Sequence, residues 1–235
     1  MKSTIAASLS LLGLVSALPA PSDDPVRNLP KHWTFNITSL EGPACPDFGH
    51  HDGADNLRST RLTYGQNTVD GSEIYYWFIA YPALHVELGE TESTWCEVEL
   101  QYTEYKDLKG ETEGEDYRLR LHKNGTKVIS TYELENDVKA TFSFKYLDAD
   151  ATDSYTINGP ATSGDYSEID MPGSKSEPSK VSQCGAAKLK FRTELKIEGE
   201  GKGVVESMHS TNEDGSIQYY GTQLGFSYDW EKCAE

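Results

Sequence analysis

Lys188-Leu189-Lys190-Phe191-Arg192-Thr193-Glu194-Leu195-Lys196-Ile197 alternates with a period of two, so that Leu189, Phe191, Leu195 and Ile197 share one face and charged groups the other. Successive side chains of a strand point to opposite sides of a sheet, which makes this stretch a half-buried β-strand. The pattern recurs upstream: Val138, Ala140, Phe142, Phe144 and Tyr146 alternate with Lys139, Thr141, Ser143 and Lys145. Cys96, Val98, Leu100 and Tyr102 lie opposite Glu97, Glu99 and Gln101, which turns the Cys96 sulfur inward. Further strands are predicted at 33–40, 58–64, 74–81, 84–88, 117–122, 127–132, 154–157, 203–209 and 216–228, and no segment has a convincing helical period. Alternating strands need a second apolar face to pack on. The expected fold class is all-β, an antiparallel two-sheet β-sandwich, with a closed barrel as the rival architecture.

Two stretches interrupt the strands. Asn124-Gly125, between Arg118-Leu119-Arg120-Leu121 and Val128-Ile129, is a two-residue hairpin signal. Residues 158–182, rich in Gly, Ser and Pro, read as a surface excursion or a covering flap.

Residues 1–17 combine Lys2, an apolar run through Val15 and the small Ser16 and Ala17, the pattern of a secretory signal peptide cut after Ala17. That run is too short to span a bilayer. Residues 18–32 hold four prolines and form an extended leader, and 33–235 form a single domain. The expected location is therefore secreted and extracellular. A formal charge of −17 argues against nucleic acid or an anionic membrane as partner. Asn36-Ile37-Thr38 and Asn124-Gly125-Thr126 are N-glycosylation acceptors. In this setting Cys45, Cys96, Cys184 and Cys233 read as two disulfides rather than as reactive thiols.

Chemistry is harder to find. His50, His51 and Asp52 are of metal-ligating type, but adjacent histidines on a strand face opposite ways, so no metal centre and no cofactor are expected. Asp148, Asp150 and Asp153 lack the glycine and glutamate of a calcium loop, and Asn212, Asp214 and Gly215 read as a turn. The run from Ile74 to Tyr81 is apolar on both faces. It is either a central buried strand or, through Tyr75, Trp77 and Tyr81, an exposed stacking platform for a sugar or a partner protein. Lys188, Lys190, Arg192 and Lys196 form a basic stripe that either docks a polyanion or pairs with glutamates across strands. There is no Gly-x-Ser-x-Gly, no His-Glu-x-x-His and no phosphate-cradling loop, and 38 acidic residues single out no glycosidase pair.

The segments FNITSLEGPACP (35–46), STWCEVELQY (93–102), DYRLRLHKNGTKV (116–128), SQCGAAKLKFRTEL (182–195) and DWEKC (229–233) resemble, in order and spacing, the fungal secreted domain-of-unknown-function 4360 family. The shared elements are Cys45-Pro46, Cys96 opening a strand, Cys184-Gly185 and Trp230 to Cys233; Ala44 stands where that family has glycine. The resemblance implies a secreted β scaffold and a fungal product, and it carries over no catalytic residue. Four cysteines allow three pairings. Cys45 with Cys96 and Cys184 with Cys233 is favoured, because each bridge then joins strands of one half of the chain and none crosses the middle. The function expected is that of a non-enzymatic interaction protein at a cell wall or host surface, an effector candidate with a protein or glycan partner. The alternatives are a carbohydrate-binding module using the Tyr75/Trp77/Tyr81 face and a glycan-active hydrolase.

Overall fold

From Ala186 to Gly199 the chain is one strand, with Leu189, Phe191, Leu195 and Ile197 buried and the lysines between them exposed. A computed structural model describes residues 29–46, 60–67, 75–148, 151–164, 167–171, 179–211, 215 and 217–234. The expected signal segment, the leader up to residue 28, the candidate ligands His50, His51 and Asp52, and Asp150, Asn212 and Asp214 lie outside the described residues.

The described residues form strands β1 (His32–Glu41), β2 (Arg61–Asn67), β3 (Tyr75–Tyr81), β4 (Val86–Glu87), β5 (Ser93–Tyr105), β6 (Tyr117–Leu134), β7 (Val138–Tyr146) and β8 (Ala151–Asn158). They continue with β9 (Ala161–Thr162), β10 (Ser167–Met171), β11 (Ser179–Cys184), β12 (Ala186–Gly199), β13 (Gly203–Glu206), β14 (Met208–Thr211) and β15 (Ile217–Lys232). One antiparallel sheet has the order β1-β5-β12-β7-β8. The other runs β2-β3-β15-β6-β13-β4, with β14 beside β15 and with β9, β10 and β11 along the free side of β6. The fold is the expected two-sheet antiparallel sandwich with two disulfides.

The core lies between the sheets. Phe142, Phe144, Phe191 and Leu195 from the first meet Ile79, Leu224 and Phe226 from the second, all essentially without solvent contact. Phe144 stacks on Phe191 at 5.0 Å between centroids, and Phe191 reaches Phe226 of the opposite layer at 5.7 Å. Each such side chain contributes roughly 1.5–3 kcal/mol by leaving water.

Two expectations about the second sheet are corrected. Asn124-Gly125 is not the tip of a hairpin, because β6 continues through it. Leu121 pairs with Tyr228 and Thr126 with Phe226, so the four residues between them face Ser227 alone in a wide bulge. Gly125 takes φ 70° there, and the buried Ser227 hydroxyl donates to its carbonyl at 2.7 Å. Asn-Gly permits a left-handed excursion in either setting; the outcome is decided by β15, which pairs with both flanks. Within 158–182, the described residues 158–164, 167–171 and 179–182 are likewise mostly paired strand rather than a loose excursion. They hold β9, β10 and β11, which extend the sheet along β6, with Met171 buried and Ile169 packed on the core.

The bridges are Cys45–Cys96 and Cys184–Cys233. After β1 the chain doubles back at Gly42, the Ala44 N–H donates to the Trp95 carbonyl at 3.0 Å, and both sulfurs of the first bridge enter the core. Cys184 ends β11 and Cys233 follows β15; these two strands border the start of β6 on either side, so the second bridge clasps it. Between β11 and β12 the chain passes from one sheet to the other at Gly185. The Gly185 N–H donates to the Tyr117 carbonyl of the second sheet at 2.8 Å, and its carbonyl accepts the Glu104 N–H of the first at 2.6 Å.

Candidate functional site

The register of β1 on β5 sets His32 opposite Tyr105 and Trp33 opposite Glu104, where β5 ends. Beyond it, residues 107–112 form a turn closed on the Asp107 carboxylate. Its oxygens accept the N–H groups of Lys109 at 2.9 Å, Glu111 at 3.2 Å and Thr112 at 2.9 Å. The Glu111 N–H, with those of Thr112 and Lys109, holds the Asp107 carboxyl below its ordinary value. The turn presents Leu108 to solvent at 87 % exposure.

Facing this end of the first sheet is Trp77 of β3, half-buried, with its ring edge-on to Phe35 at 5.3 Å. Trp33 is half-buried too, edge-on to Trp230 at 4.7 Å. Trp33, Trp77 and Tyr105, together with Lys31, His32 and the 107–110 turn, line an open groove of about 590 Å³. Both sheets thus hold its rings in place.

An adjoining hollow of about 690 Å³ shares Lys31 and Tyr105 with the groove and is lined by Glu104, Lys106, Glu115, Asp116 and Lys232. Glu104 is only 3 % exposed, and its Oε2 accepts the Tyr117 N–H at 3.0 Å. Burial lifts the Glu104 carboxyl above its ordinary value of 4.5, and the Asp116 charge acts in the same direction. The fold therefore prefers the protonated form, so this group's contribution to stability is complete below the unfolded value and is lost as pH rises through the folded one. Glu104→Gln removes that loss. Urea titrations between about pH 4 and about pH 8 should show the variant gaining stability over the wild type as pH rises. A difference independent of pH would contradict this.

Of the two readings of this run, the central buried strand holds, and the alternative, an exposed platform of Tyr75, Trp77 and Tyr81, is not formed because Tyr81 is buried. The face carrying Trp77, Ile79 and Tyr81 is the core face of β3: Tyr81 has 0 % exposure, and its hydroxyl accepts a hydrogen bond from Thr193 of the other sheet at 3.2 Å. Burial pushes the Tyr81 phenol up, against the opposing effect of that bond. Tyr75 begins β3, its backbone paired with Tyr228 and Asn67. Trp77 lines the groove, whereas the buried Tyr81 does not.

The basic stripe is internally matched. Lys188 and Lys190 reach Glu99 at 3.2 and 3.4 Å, and Lys196 reaches Glu198 at 2.6 Å. Arg192 pairs with Glu97 at 3.1 Å and lies over the Trp95 ring at 4.1 Å. Lys139 joins from the other side, and the two lysines hold the Glu198 carboxyl down to about 2. Asn36 is exposed on the edge strand β1, while the Thr38 hydroxyl of its acceptor triplet donates to Glu99 at 2.9 Å. Asn124 lies in the β6 bulge. Asp148 accepts the Lys190 N–H at 3.1 Å, and the buried Asp153 accepts the Thr126 hydroxyl at 2.6 Å.

Sequence reasoning missed Trp33, Tyr105, Lys31 and Leu108 as members of a site. One signal was available: Asp107 and Gly110 occupy the first and last positions that a type I turn prefers.

No protein-family model matches the chain. A comparison with curated proteins finds no match. Among solved structures, TmCBM61 in complex with β-1,4-galactotriose is similar over 86 % of this chain and 90 % of its own, at 8 % identity and a TM-score of 0.16.

Proposed function

We propose that this protein is a secreted, non-enzymatic binding protein that works outside the cell and holds a carbohydrate chain in the groove between β1, β3 and the 107–110 turn. The observation that carries this reading is the set of three half-buried rings, Trp33, Trp77 and Tyr105, around one open groove. Flat rings with polar edges suit the apolar C–H faces and hydroxyl rims of sugars. The groove's own carboxylate, Asp107, is engaged by three backbone N–H groups, which favours holding a ligand over proton transfer to it. Two disulfides suit an oxidising compartment. The resemblance to a secreted fungal family supports a secreted fungal product, and the signal-like N-terminal segment and the glycosylation acceptors suit action at a cell wall or host surface.

Affinity electrophoresis and calorimetry with soluble polysaccharides test the reading. Tyr105→Ala should weaken retention by roughly tenfold, the value of one lost ring contact, with little change in thermal midpoint. Trp77→Ala should weaken it at least as much, with some destabilisation through the lost Phe35 contact. Retention unchanged in both variants would sink the proposal. A second reading, an effector-like protein partner, draws on Leu108, an apolar side chain held out on a pinned turn. It predicts that Leu108→Ala abolishes binding to that partner while polysaccharide retention stays at the wild-type level.

A further inference from the structure

We propose that the groove selects an anionic saccharide, a chain whose sugar rings carry uronate carboxylates. The inference rests on the carbohydrate reading of the same groove and goes beyond it by naming the chemistry of the ligand. The chain has a formal charge of −17, yet the groove is lined by Lys31, His32 and Lys109 against one carboxylate, Asp107. Both Asp107 oxygens are turned into their own loop, where they accept the Lys109, Glu111 and Thr112 N–H groups. Asp107 keeps its charge, but its oxygens are engaged by its own loop, so the cations Lys31 and Lys109 outnumber the one carboxylate of the groove's lining, although Lys31 also borders the hollow lined by Glu104, Glu115 and Asp116.

One cluster of cations on the surface contrasts with this, while Lys145, Lys202 and Lys232 are exposed and, like the groove lysines, have no ion pair among the described residues. On the outer face of the first sheet Lys139, Lys188, Lys190, Arg192 and Lys196 are each matched to a glutamate. Lys31 and Lys109 are exposed, and among the described residues neither has an ion-pair partner. Unmatched cations beside aromatic rings fit a ligand that offers a flat apolar ring and a carboxylate in every unit. The rings stack on Trp33, Trp77 or Tyr105, and the carboxylates meet the lysines. A neutral sugar would leave those lysines merely hydrated. Because both are solvent-exposed, their attraction must fade with ionic strength, the Debye length shrinking from about 10 Å at 0.1 M to about 3 Å at 1 M.

The experiment is calorimetry of the whole protein at neutral pH with a galacturonate hexamer and with the same hexamer fully methyl-esterified, which keeps the rings and removes the charge. The acid should bind roughly tenfold more tightly at low salt, and the preference should disappear at high salt. The Lys31→Gln/Lys109→Gln double variant should bind the acid and the ester equally, at the ester's wild-type affinity. Equal binding of both by the wild type, or a preference that survives in the double variant, overturns the uronate inference while the carbohydrate reading stands. Binding of neither hexamer, or binding untouched by Tyr105→Ala, removes that reading and this inference with it.

Discussion

Gly185→Ala is expected to cost on the order of 4 kcal/mol of folding free energy, or to prevent folding. Gly185 has φ 81°, which L residues with a side chain rarely adopt. A Cβ there would lie 1.9 Å from the Gly114 carbonyl oxygen, 2.9 Å from its carbon and 3.0 Å from the Glu115 Cα. All three are backbone atoms, so no rotamer change relieves the overlap. Moving the backbone would break the two hydrogen bonds by which Gly185 ties Tyr117 of one sheet to Glu104 of the other. Gly89→Ala is the control: its φ is 88°, but nothing stands within 4 Å of the added carbon, so only the conformational penalty of about 1–2 kcal/mol remains. Urea unfolding of the two variants measures the gap. Equal destabilisation would mean that the crossover yields where the geometry says it cannot.

Replacing Cys45 and Cys96 together with alanine should lower stability by about 4 kcal/mol, the chain-entropy cost of opening a loop of this length. The separation is 51 residues, and 49 for the second bridge, so loop length does not distinguish them. Accessibility does. Cys45 and Cys96 are buried in the core, whereas Cys184 and Cys233 are partly exposed at the start of β6. A thiol reductant acting on the native protein should therefore open Cys184–Cys233 first, and Cys45–Cys96 only as the protein unfolds. Alkylation followed by peptide mapping over a time course reads the order. Simultaneous loss of both bridges, or earlier loss of Cys45–Cys96, would contradict it.

The strands were legible wherever one face meets the core and the other meets water, as at 188–197 and 138–146, because burial then imposes a strict period of two. The same logic failed at Asn124-Gly125. A left-handed pair marks a local excursion, and whether the chain then reverses or rejoins the same strand depends on β15, almost 100 residues away. At Tyr75 to Tyr81 both faces are apolar, and alternation divides them without saying which one meets the other sheet; Phe35 and Thr193 supply that answer. The basic stripe was visible as a stripe. Its partners follow from the register that sets Lys190 opposite Glu99 and Arg192 opposite Glu97. The groove was least legible of all. His32 meets Tyr105 only through the β1–β5 pairing, and Trp77 joins them only through the stacking of two sheets, so no local pattern announces the site.

The place of β15 in the second sheet bears on when the protein can fold. It lies between β3 and β6, with the β6 pairing running from residue 223 to residue 232. Until Ile217–Lys232 has been synthesised, β3 and β6 each expose an unpaired edge, and the faces of Ile79, Leu121 and Val128 lack Leu224, Phe226 and Tyr228 to pack against. Nothing resembling the native second sheet can close on a nascent chain that stops short of this strand. Assembly must then wait for contacts of long sequence separation, a slow regime in which open strand edges invite aggregation. Truncations within β15 should consequently behave as failures to fold rather than as shortened but native proteins.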